Sequence, residues 1–164
     1  MVIPNSKKEV QGDSLAKVFI APDEQIMIFT RNGMALRFEG KNVSISSRTA
    51  IGVKAINLNE GDYVIDALHL NGEKDIMIFQ ENGMAKRVAV NDFVLQNRAG
   101  KGLICHKPGE VVAACPVNDD HMMLIVGNMN SICINASDVA LGSRGAQGVI
   151  VIKDNNIIGV ARIN

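Results

Sequence analysis

The sequence predicts an all-β protein built from repeated units, and three observations support this prediction. A segment at residues 24–37 recurs closely at 75–87 and more loosely from residue 121 onwards. The apolar runs are rich in valine and isoleucine and are interrupted every 8–12 residues or so by Gly, Asn, Asp or Pro, which is typical of short strands. No stretch keeps apolar residues at helical spacing over the length that a helix requires. A repeat of roughly 46–50 residues with four strands has the size of a propeller blade.

Each repeat is predicted to contain four strands in the same order. The first strand leads into a hairpin through an Asn-Gly pair, Asn32-Gly33 or Asn82-Gly83, which is expected to supply the positive φ angles of a tight turn. The first strands are predicted at 26–29, 76–79 and 121–126, and the returning strands at 34–38 and 84–90. The third strands are predicted at 53–56, 103–106 and 149–152, and the fourth at 63–70, 111–117 and 157–163.

The repeats divide the chain into predicted blades at residues 24–73 (repeat one), 74–119 (repeat two) and 120–164 (repeat three). Gly12-Asp13 followed by residues 15–20, all apolar except Lys17, is similar to Gly61-Asp62 followed by 64–70. Residues 1–23 are therefore predicted to be the back half of an earlier repeat. The chain, residues 1–164, is expected to be one bladed fragment of a longer protein with about three and a half blades, whose open ends favour self-association.

Composition excludes several classes of protein. An apolar content of 47% excludes disorder, and the absence of an apolar run of about 18 residues argues against a membrane span. The three cysteines, Cys105, Cys115 and Cys133, lie in predicted strands and are expected to be buried free thiols in a reducing cytoplasm. They lack metal-ligand spacing, and the chain shows no catalytic triad, paired carboxylates or Walker loop, so we expect no catalytic residue, metal or cofactor in this fragment.

The distribution of charge is more informative than its sum. The formal net charge is zero, which by itself argues against nucleic-acid binding, because such binding depends on basic residues that neutralise phosphates. Residues 24–109 contain 11 basic and 9 acidic side chains, whereas residues 110–164 contain 3 basic and 5 acidic ones. The first two repeats therefore hold most of the positive charge.

An Arg-x-x-x-Gly element recurs in a loop of each repeat, as Arg48/Gly52, Arg98/Gly102 and Arg144/Gly148. Glycines allow backbone N–H groups to approach a phosphate, and Arg98 and Lys101 bring charge to the same loop. The alternative is structural: the arginine closes the blade by binding carbonyl groups, and the glycine serves the backbone conformation. The candidate DNA-contacting residues are Arg98, Lys101, Arg48, Arg144, Arg37, Lys86, Arg87, Lys54 and Lys41. For Arg37 and Arg87 the alternative is a solvated charge that protects a strand edge.

The loop of repeat two carries a family resemblance. Residues 96–102 read Gln-Asn-Arg-Ala-Gly-Lys-Gly, which resembles the gyrase A box, Gln-Arg-Arg-Gly-Gly-Arg/Lys-Gly, of the carboxy-terminal domain of the DNA gyrase and topoisomerase IV A subunits. The loop departs from the box at Asn97 and Ala99, and the corresponding loops at 46–52 and 142–148 are degenerate. The flanking Asp-x-Ile-Met-Ile-Phe and Asn-Gly-Met-Ala-x-Arg segments are also similar to that family.

The resemblance implies a β-pinwheel, a disc of five or six blades that exchange strands, with duplex DNA bent around a basic rim. It implies a non-catalytic, DNA-wrapping part of a bacterial, ATP-dependent type IIA topoisomerase. The catalytic tyrosine, ATP and Mg²⁺ would then belong elsewhere in the enzyme. The partners would be double-stranded DNA, the remainder of the A subunit and the B subunit. The location would be the cytoplasm, at the nucleoid. Gyrase and topoisomerase IV remain alternatives. A bladed protein-interaction scaffold without DNA binding is the rival that the neutral charge favours.

The two interpretations of Arg98 and Lys101 predict different results. If both side chains contact phosphate, replacing them with alanine weakens DNA binding and leaves the fold intact. If the loop is structural, the same change lowers stability and leaves binding unchanged.

Overall fold

The computed structural model describes residues 14–20, 24–106, 109–153 and 156–163. These ranges contain β-strands and short 3₁₀ turns and no α-helix, which confirms the all-β prediction. The strands are β1 Gln25–Thr30, β2 Met34–Glu39, β3 Val64–Leu70, β4 Asp75–Gln80, β5 Met84–Ala89, β6 Leu103–Ile104, β7 Val111–Val117, β8 Met122–Gly127, β9 Ser131–Asn135, β10 Leu141–Gly142, β11 Val149–Ile150 and β12 Ile157–Arg162. The 3₁₀ turns are Gly40–Asn42, Val90–Asp92 and Ala136–Asp138. The same ranges contain no helix long and apolar enough to cross a bilayer.

The hairpins form where the Asn-Gly pairs predict them, with one difference in the turn. β1 pairs antiparallel with β2, and β4 with β5 in the equivalent register. Positive φ angles occur at Gly33 (79°) and Gly83 (84°) but not at the preceding asparagines. The Gly33 N–H donates to the Thr30 carbonyl over 3.1 Å. This geometry is that of a longer hairpin loop ending in a left-handed glycine, so only the glycine needs its conformational freedom.

The predicted third strands do not join the sheet formed by the other three strands of their own repeat. Residues 53–56 form no strand, and the equivalents in the later repeats shorten to β6 and β11. β6 pairs with β2 of the preceding repeat, and β11 pairs with β5 in the same way. The reason is that the outer edge of each hairpin has unpaired backbone groups, which the following repeat can satisfy. Neighbouring repeats therefore exchange strands, as expected for a β-pinwheel.

The core lies between successive sheets because alternate residues of each first strand face opposite sides. Met27 and Phe29 of β1 point towards the second sheet and pack with Ile76 and Ile78 of β4. The next pair in β4, Met77 and Phe79, packs with β8 and its neighbours in the third sheet. Ile26 and Ile28 face the other way, where Ala55, Ile56, Ala16 and Phe19 cover them. The second sheet is thus packed between the first and the third.

The prediction that residues 1–23 form the back half of an earlier repeat can be compared with the structure only at residues 14–20. Residues 1–13 and 21–23 lie outside the described residues, and residues 14–20 form no strand, contrary to the expected match with 64–70. Lys17 instead forms an ion pair with Asp66 over 3.1 Å, and Phe19 stacks on His69. The blade boundaries at 24–73, 74–119 and 120–164 stay a prediction.

The cysteines are free but not equally buried. Burial raises the pKa of Cys105 to about 12 and that of Cys115 to about 11, so both thiols stay protonated. Cys133 is exposed, and the prediction that it is buried is wrong. It lies on β9, whose outer edge no strand covers in the described part of the chain.

Candidate nucleic-acid interface

Arg98 joins the loop of repeat two to repeat one. Its Nε donates to the Asn42 carbonyl over 2.9 Å, and its Nη1 donates to the Lys54 carbonyl. The Ala99 N–H adds a bond to the Ala55 carbonyl over 2.8 Å, and the Asn57 N–H donates to the Gly100 carbonyl over the same distance. These contacts are those of a clamp between repeats, and they favour the structural interpretation of Arg98.

Arg144 repeats the Arg98 contact one unit later. Its Nη1 donates to the Ile104 carbonyl over 2.9 Å, and Ile104 occupies in repeat two the position of Lys54 in repeat one. Arg48 differs from both, because its side chain is exposed and has no hydrogen-bond partner among the described residues. The loop arginine is therefore engaged wherever a preceding repeat lies within the described ranges.

The motif glycines permit close packing between repeats. A Cβ on Gly102 would lie 2.5 Å from the Ala35 carbonyl oxygen of β2, and one on Gly148 would lie 2.5 Å from the Ala85 oxygen of β5. A Cβ on Gly52 would meet no atom of the described residues within 4 Å. The glycine is required because backbone approaches backbone, which is the structural alternative stated for these residues.

The box-like loop offers few free backbone donors for a phosphate. The Ala99 N–H binds Ala55, and the Gly100 N–H donates to the Asn97 carbonyl over 3.2 Å. Ala99 has φ +65°, a left-handed conformation in which a side chain is strained. The departure from the family box at this position therefore places an alanine where the backbone favours glycine.

Arg37 and Arg87 are inter-repeat clamps as well. Arg37 donates to the Val90 and Phe93 carbonyls over 3.0 and 3.1 Å, and to the Gln25 amide oxygen. Burial lowers the pKa of Arg37, although Glu39 opposes this. The guanidinium is held against repeat two and is not free to lie on a DNA backbone.

Arg87 makes the equivalent contact with repeat three. It is 7% exposed, so it is not a solvated edge charge. It binds Asp75 and Asp119 and reaches the Ala136 carbonyl over 3.4 Å. Burial alone would lower the pKa of Arg87, but the hydrogen bonds to Asp119 and Asp75 raise it.

Sequence reasoning did not identify the acceptors Gln25 and Asp75. Each precedes its arginine by 12 residues, and this constant spacing was the available signal.

Lys86 is buried beneath the loop of repeat three. Its ammonium group donates to the carbonyls of Arg144 and Ala146. Burial lowers the pKa of Lys86, while Cys105 opposes this with a smaller effect and Arg144 adds repulsion. Leu36 holds the same position in repeat one and is also buried. Lys86 thus replaces an apolar contact with two hydrogen bonds, and a DNA phosphate could not reach it.

The exposed candidates gather where repeat two meets repeat one. Lys41 is the residue before Asn42, and Lys54 supplies the second carbonyl that Arg98 binds. Lys101 lies in the same loop as Arg98, and all three lysines are exposed. The Lys54 ammonium group is oriented by a 2.7 Å bond to the Asn57 amide oxygen. The fold therefore brings three lysines from separate segments to one junction, which we call the first junction.

The junction between repeats two and three lacks this charge. The positions of Lys41, Lys54 and Lys101 are held there by Asn91, Ile104 and Gln147. Asp92 stands there in the place that Asn42 has at the first junction. Among the two junctions that the described residues form, the group of three exposed lysines therefore belongs to the first alone.

Comparisons with a family model and with known proteins point to the same family. A family model described as "DNA gyrase C-terminal domain, beta-propeller" matches residues 24–71, 74–105 and 133–164. The A subunit of DNA gyrase from Escherichia coli (strain K12) is 33% identical over 165 residues, covering 95% of this chain and 19% of that protein. The gyrase A protein of Staphylococcus aureus (strain MRSA252) is 36% identical over 150 residues, covering 85% and 17%. The chain thus spans about a fifth of the length of these relatives.

Two solved structures share the fold. The structure of the DNA gyrase A C-terminal domain superposes with a TM-score of 0.81 and 24% identity, over 87% of this chain and 52% of that one. The C-terminal domain of DNA topoisomerase IV gives a TM-score of 0.80 and 23% identity, over 85% and 46%.

Proposed function

We propose that this chain, which belongs to the DNA gyrase C-terminal domain family, binds duplex DNA without sequence preference and supports bending of the duplex around the domain edge. The observation that carries the proposal is the group of exposed lysines Lys41, Lys54 and Lys101 at the first junction. Ammonium groups on a rigid backbone neutralise phosphates and release counterions irrespective of base sequence.

The structure changes which candidates we assign to DNA contact. Arg37, Lys86 and Arg87 are engaged in inter-repeat bonds, and Arg144 and Arg98 direct donors to carbonyl groups. Their role is to hold the junctions at a fixed geometry. The lysines then supply the charge, so the positioning and the neutralising functions reside in different residues.

The wider setting follows from the family. We propose that the domain acts as a non-catalytic part of a bacterial, ATP-dependent type IIA topoisomerase. Its partners would be the remainder of the A subunit, together with the B subunit. Such a domain would work in the cytoplasm at the nucleoid, and ATP and Mg²⁺ would be bound elsewhere in the enzyme. The family model and the gyrase A relatives support this setting.

The test compares two double variants with the same loss of charge. Lys41→Gln/Lys101→Gln removes two lysines of the first junction, and Lys74→Gln/Lys153→Gln removes two exposed lysines elsewhere. Affinity for unrelated duplexes of about one to three helical turns is measured by fluorescence anisotropy across a salt series. We expect the first variant to bind more weakly and to lower the salt slope by about 1.8, which corresponds to two phosphate contacts. The control should bind as the unmodified chain does.

Two results would reject the proposal. One is the absence of duplex binding at about 50 mM salt, which would favour the protein-interaction scaffold. The other is an equal loss of affinity in both double variants, because binding would then depend on net charge and not on the first junction. Thermal unfolding of both variants serves as the control for folding.

A further inference from the structure

The two ends of the repeat array are complementary. β2 and β5 each carry on their outer edge a short strand from the following repeat. β9 is their counterpart in repeat three, and within the described ranges its outer edge pairs with no strand. At the other end, residues 45–54 of repeat one are the counterpart of the segments that bind these edges, yet they form no strand and are almost entirely exposed. One end therefore presents a vacant edge and the other presents the segment that fits it.

We propose that β9 of one copy binds residues 45–54 of a second copy, so that the chain associates head to tail. The register follows from the pairs within the chain. Leu103 lies opposite Ala35, and Val149 opposite Ala85, which places Val53 of the second copy opposite Ser131. Leu95 bridges Arg37, and Leu141 pairs with Arg87, which places Ile45 opposite Cys133.

The backbone of residues 48–52 supports this docking. Gly52 has the positive φ (88°) of Gly102 (78°), but no backbone of the described residues lies against it. In the associated pair the Ser131 carbonyl would fill the place that Ala35 fills for Gly102. Arg48 would donate to the Ile150 carbonyl of the other copy, as Arg98 and Arg144 do to their preceding repeats. Within the described part of one chain neither Gly52 nor Arg48 makes such a contact, and in the pair both would.

The side chain at position 132 supports it independently. The equivalent residues Leu36 and Lys86 are buried beneath the loop of the following repeat. Ile132 is 40% exposed, because no such loop covers it in the described residues. Docking of a second copy would bury this side chain, and burial of apolar area is the main driving force for association.

One contact in the single chain competes with the docking. Consecutive fourth strands pack together, as β3 does with β7 and β7 with β12. β12 of one copy would therefore lie beside β3 of the next, where Lys17 binds Asp66 and Phe19 stacks on His69. We expect residues 14–20 to leave this place on association. The double variant Lys17→Glu/Phe19→Ser should then increase the associated fraction.

The expected assembly contains two copies. This chain covers 52% of the length of the gyrase A C-terminal domain structure with which it superposes. Two copies joined at both ends therefore hold about as much chain as one such disc. Since each end of the described array in one copy meets the opposite end in the other, the described strands of the two copies form a closed ring.

The first test is sedimentation velocity of the full chain without DNA, over a broad range of concentrations. We expect reversible dimerisation of the 17.6 kDa chain. Ile132→Asp should abolish it, because a carboxylate would face the carbonyls of Arg48 and Ala50 in the second copy. Ile132→Lys should retain it, because its ammonium group can donate to those carbonyls as Lys86 does to Arg144 and Ala146. An ordinary edge charge would instead block association with either sign.

The second test is a disulfide crosslink to the exposed Cys133. Ile45→Cys places a thiol opposite Cys133 of the other copy, and we expect rapid formation of a covalent dimer under mild oxidation. Ile51→Cys is the matched control, since Ile51 is in the same loop and equally exposed but is not opposite Cys133. A strict monomer at the highest concentration, an Ile132→Asp variant that still dimerises, or equal crosslinking of the two cysteine variants would overturn the proposal. None of these measurements involves DNA, so the outcome is separate from that of the proposed function.

Discussion

The guanidinium of Arg98 donates a hydrogen bond to the backbone carbonyl of Lys54, which lies in the preceding repeat. The motif arginine therefore connects two repeats, and it holds the backbone of an exposed lysine, Lys54, at the same junction. Because the arginine is expected to stabilise the fold and the lysines to bind DNA, single substitutions can measure the two effects separately.

Arg98→Ala should lower the free energy of unfolding by about 1–3 kcal/mol, because two charge-assisted bonds to carbonyls are lost. Lys101→Ala should change it by no more than about 0.5 kcal/mol, since Lys101 is exposed. Urea denaturation of both variants measures these values. Equal stability of the two variants would contradict the clamp role of Arg98.

Ala99→Gly should stabilise the protein by up to about 1 kcal/mol. The left-handed conformation of Ala99 costs about 1–2 kcal/mol, and the greater freedom of glycine in the unfolded chain offsets part of the gain. Ala50→Gly makes the same change in the corresponding loop of repeat one, one position after the counterpart of Ala99, where φ is not positive, and it should destabilise by a few tenths of a kcal/mol to about 1 kcal/mol. Differential scanning calorimetry should show shifts of opposite sign, and a lower melting temperature for Ala99→Gly would contradict the prediction.

Gly148→Ala should destabilise the fold by about 1–3 kcal/mol, because its Cβ would lie 2.5 Å from the Ala85 carbonyl oxygen. Gly145→Ala lies in the same loop, and its Cβ would meet nothing within 4 Å. Its effect should stay within about 0.5 kcal/mol. Thermal denaturation of the pair checks this, and similar melting temperatures would show that the strand exchange does not depend on the close approach.

His106 should make the protein sensitive to acid. Burial, with a smaller effect from Lys86, lowers the pKa of His106 from 6.5 to about 4. The unfolded chain therefore takes up a proton near pH 6.5, whereas the folded chain does so only near pH 4. The contribution of His106 to stability is full above pH 6.5 and is lost as the pH decreases towards 4, by an amount on the order of 3 kcal/mol.

The control for this pH dependence is His106→Ile, because isoleucine holds the equivalent buried positions Ile56 and Ile152. The difference in unfolding free energy between this variant and the unmodified chain should grow as the pH falls through the same window. The carboxylates titrate in both proteins and cancel in the difference. A difference that is constant with pH would contradict the shift.

Short-range patterns in the sequence were enough to predict the hairpins and the family. Alternating apolar residues and the Asn-Gly pairs are local signals, and β1, β2, β4 and β5 form within a residue or so of their predicted bounds. The box-like loop at 96–102 was sufficient to recognise a family that the comparisons then showed. These features depend on residues close together in the chain, so a linear pattern carries them.

The tertiary structure alone decides which repeat a given strand or side chain contacts. β6 pairs with the preceding repeat, and Lys86 is buried where its counterpart Leu36 is apolar. Arg98 and Lys101 belong to one motif, yet the first binds carbonyl groups and the second is exposed. The reason is that a side chain's partner across a repeat boundary is some 40–60 residues away, and similar residues acquire different roles according to whether a neighbouring repeat covers them.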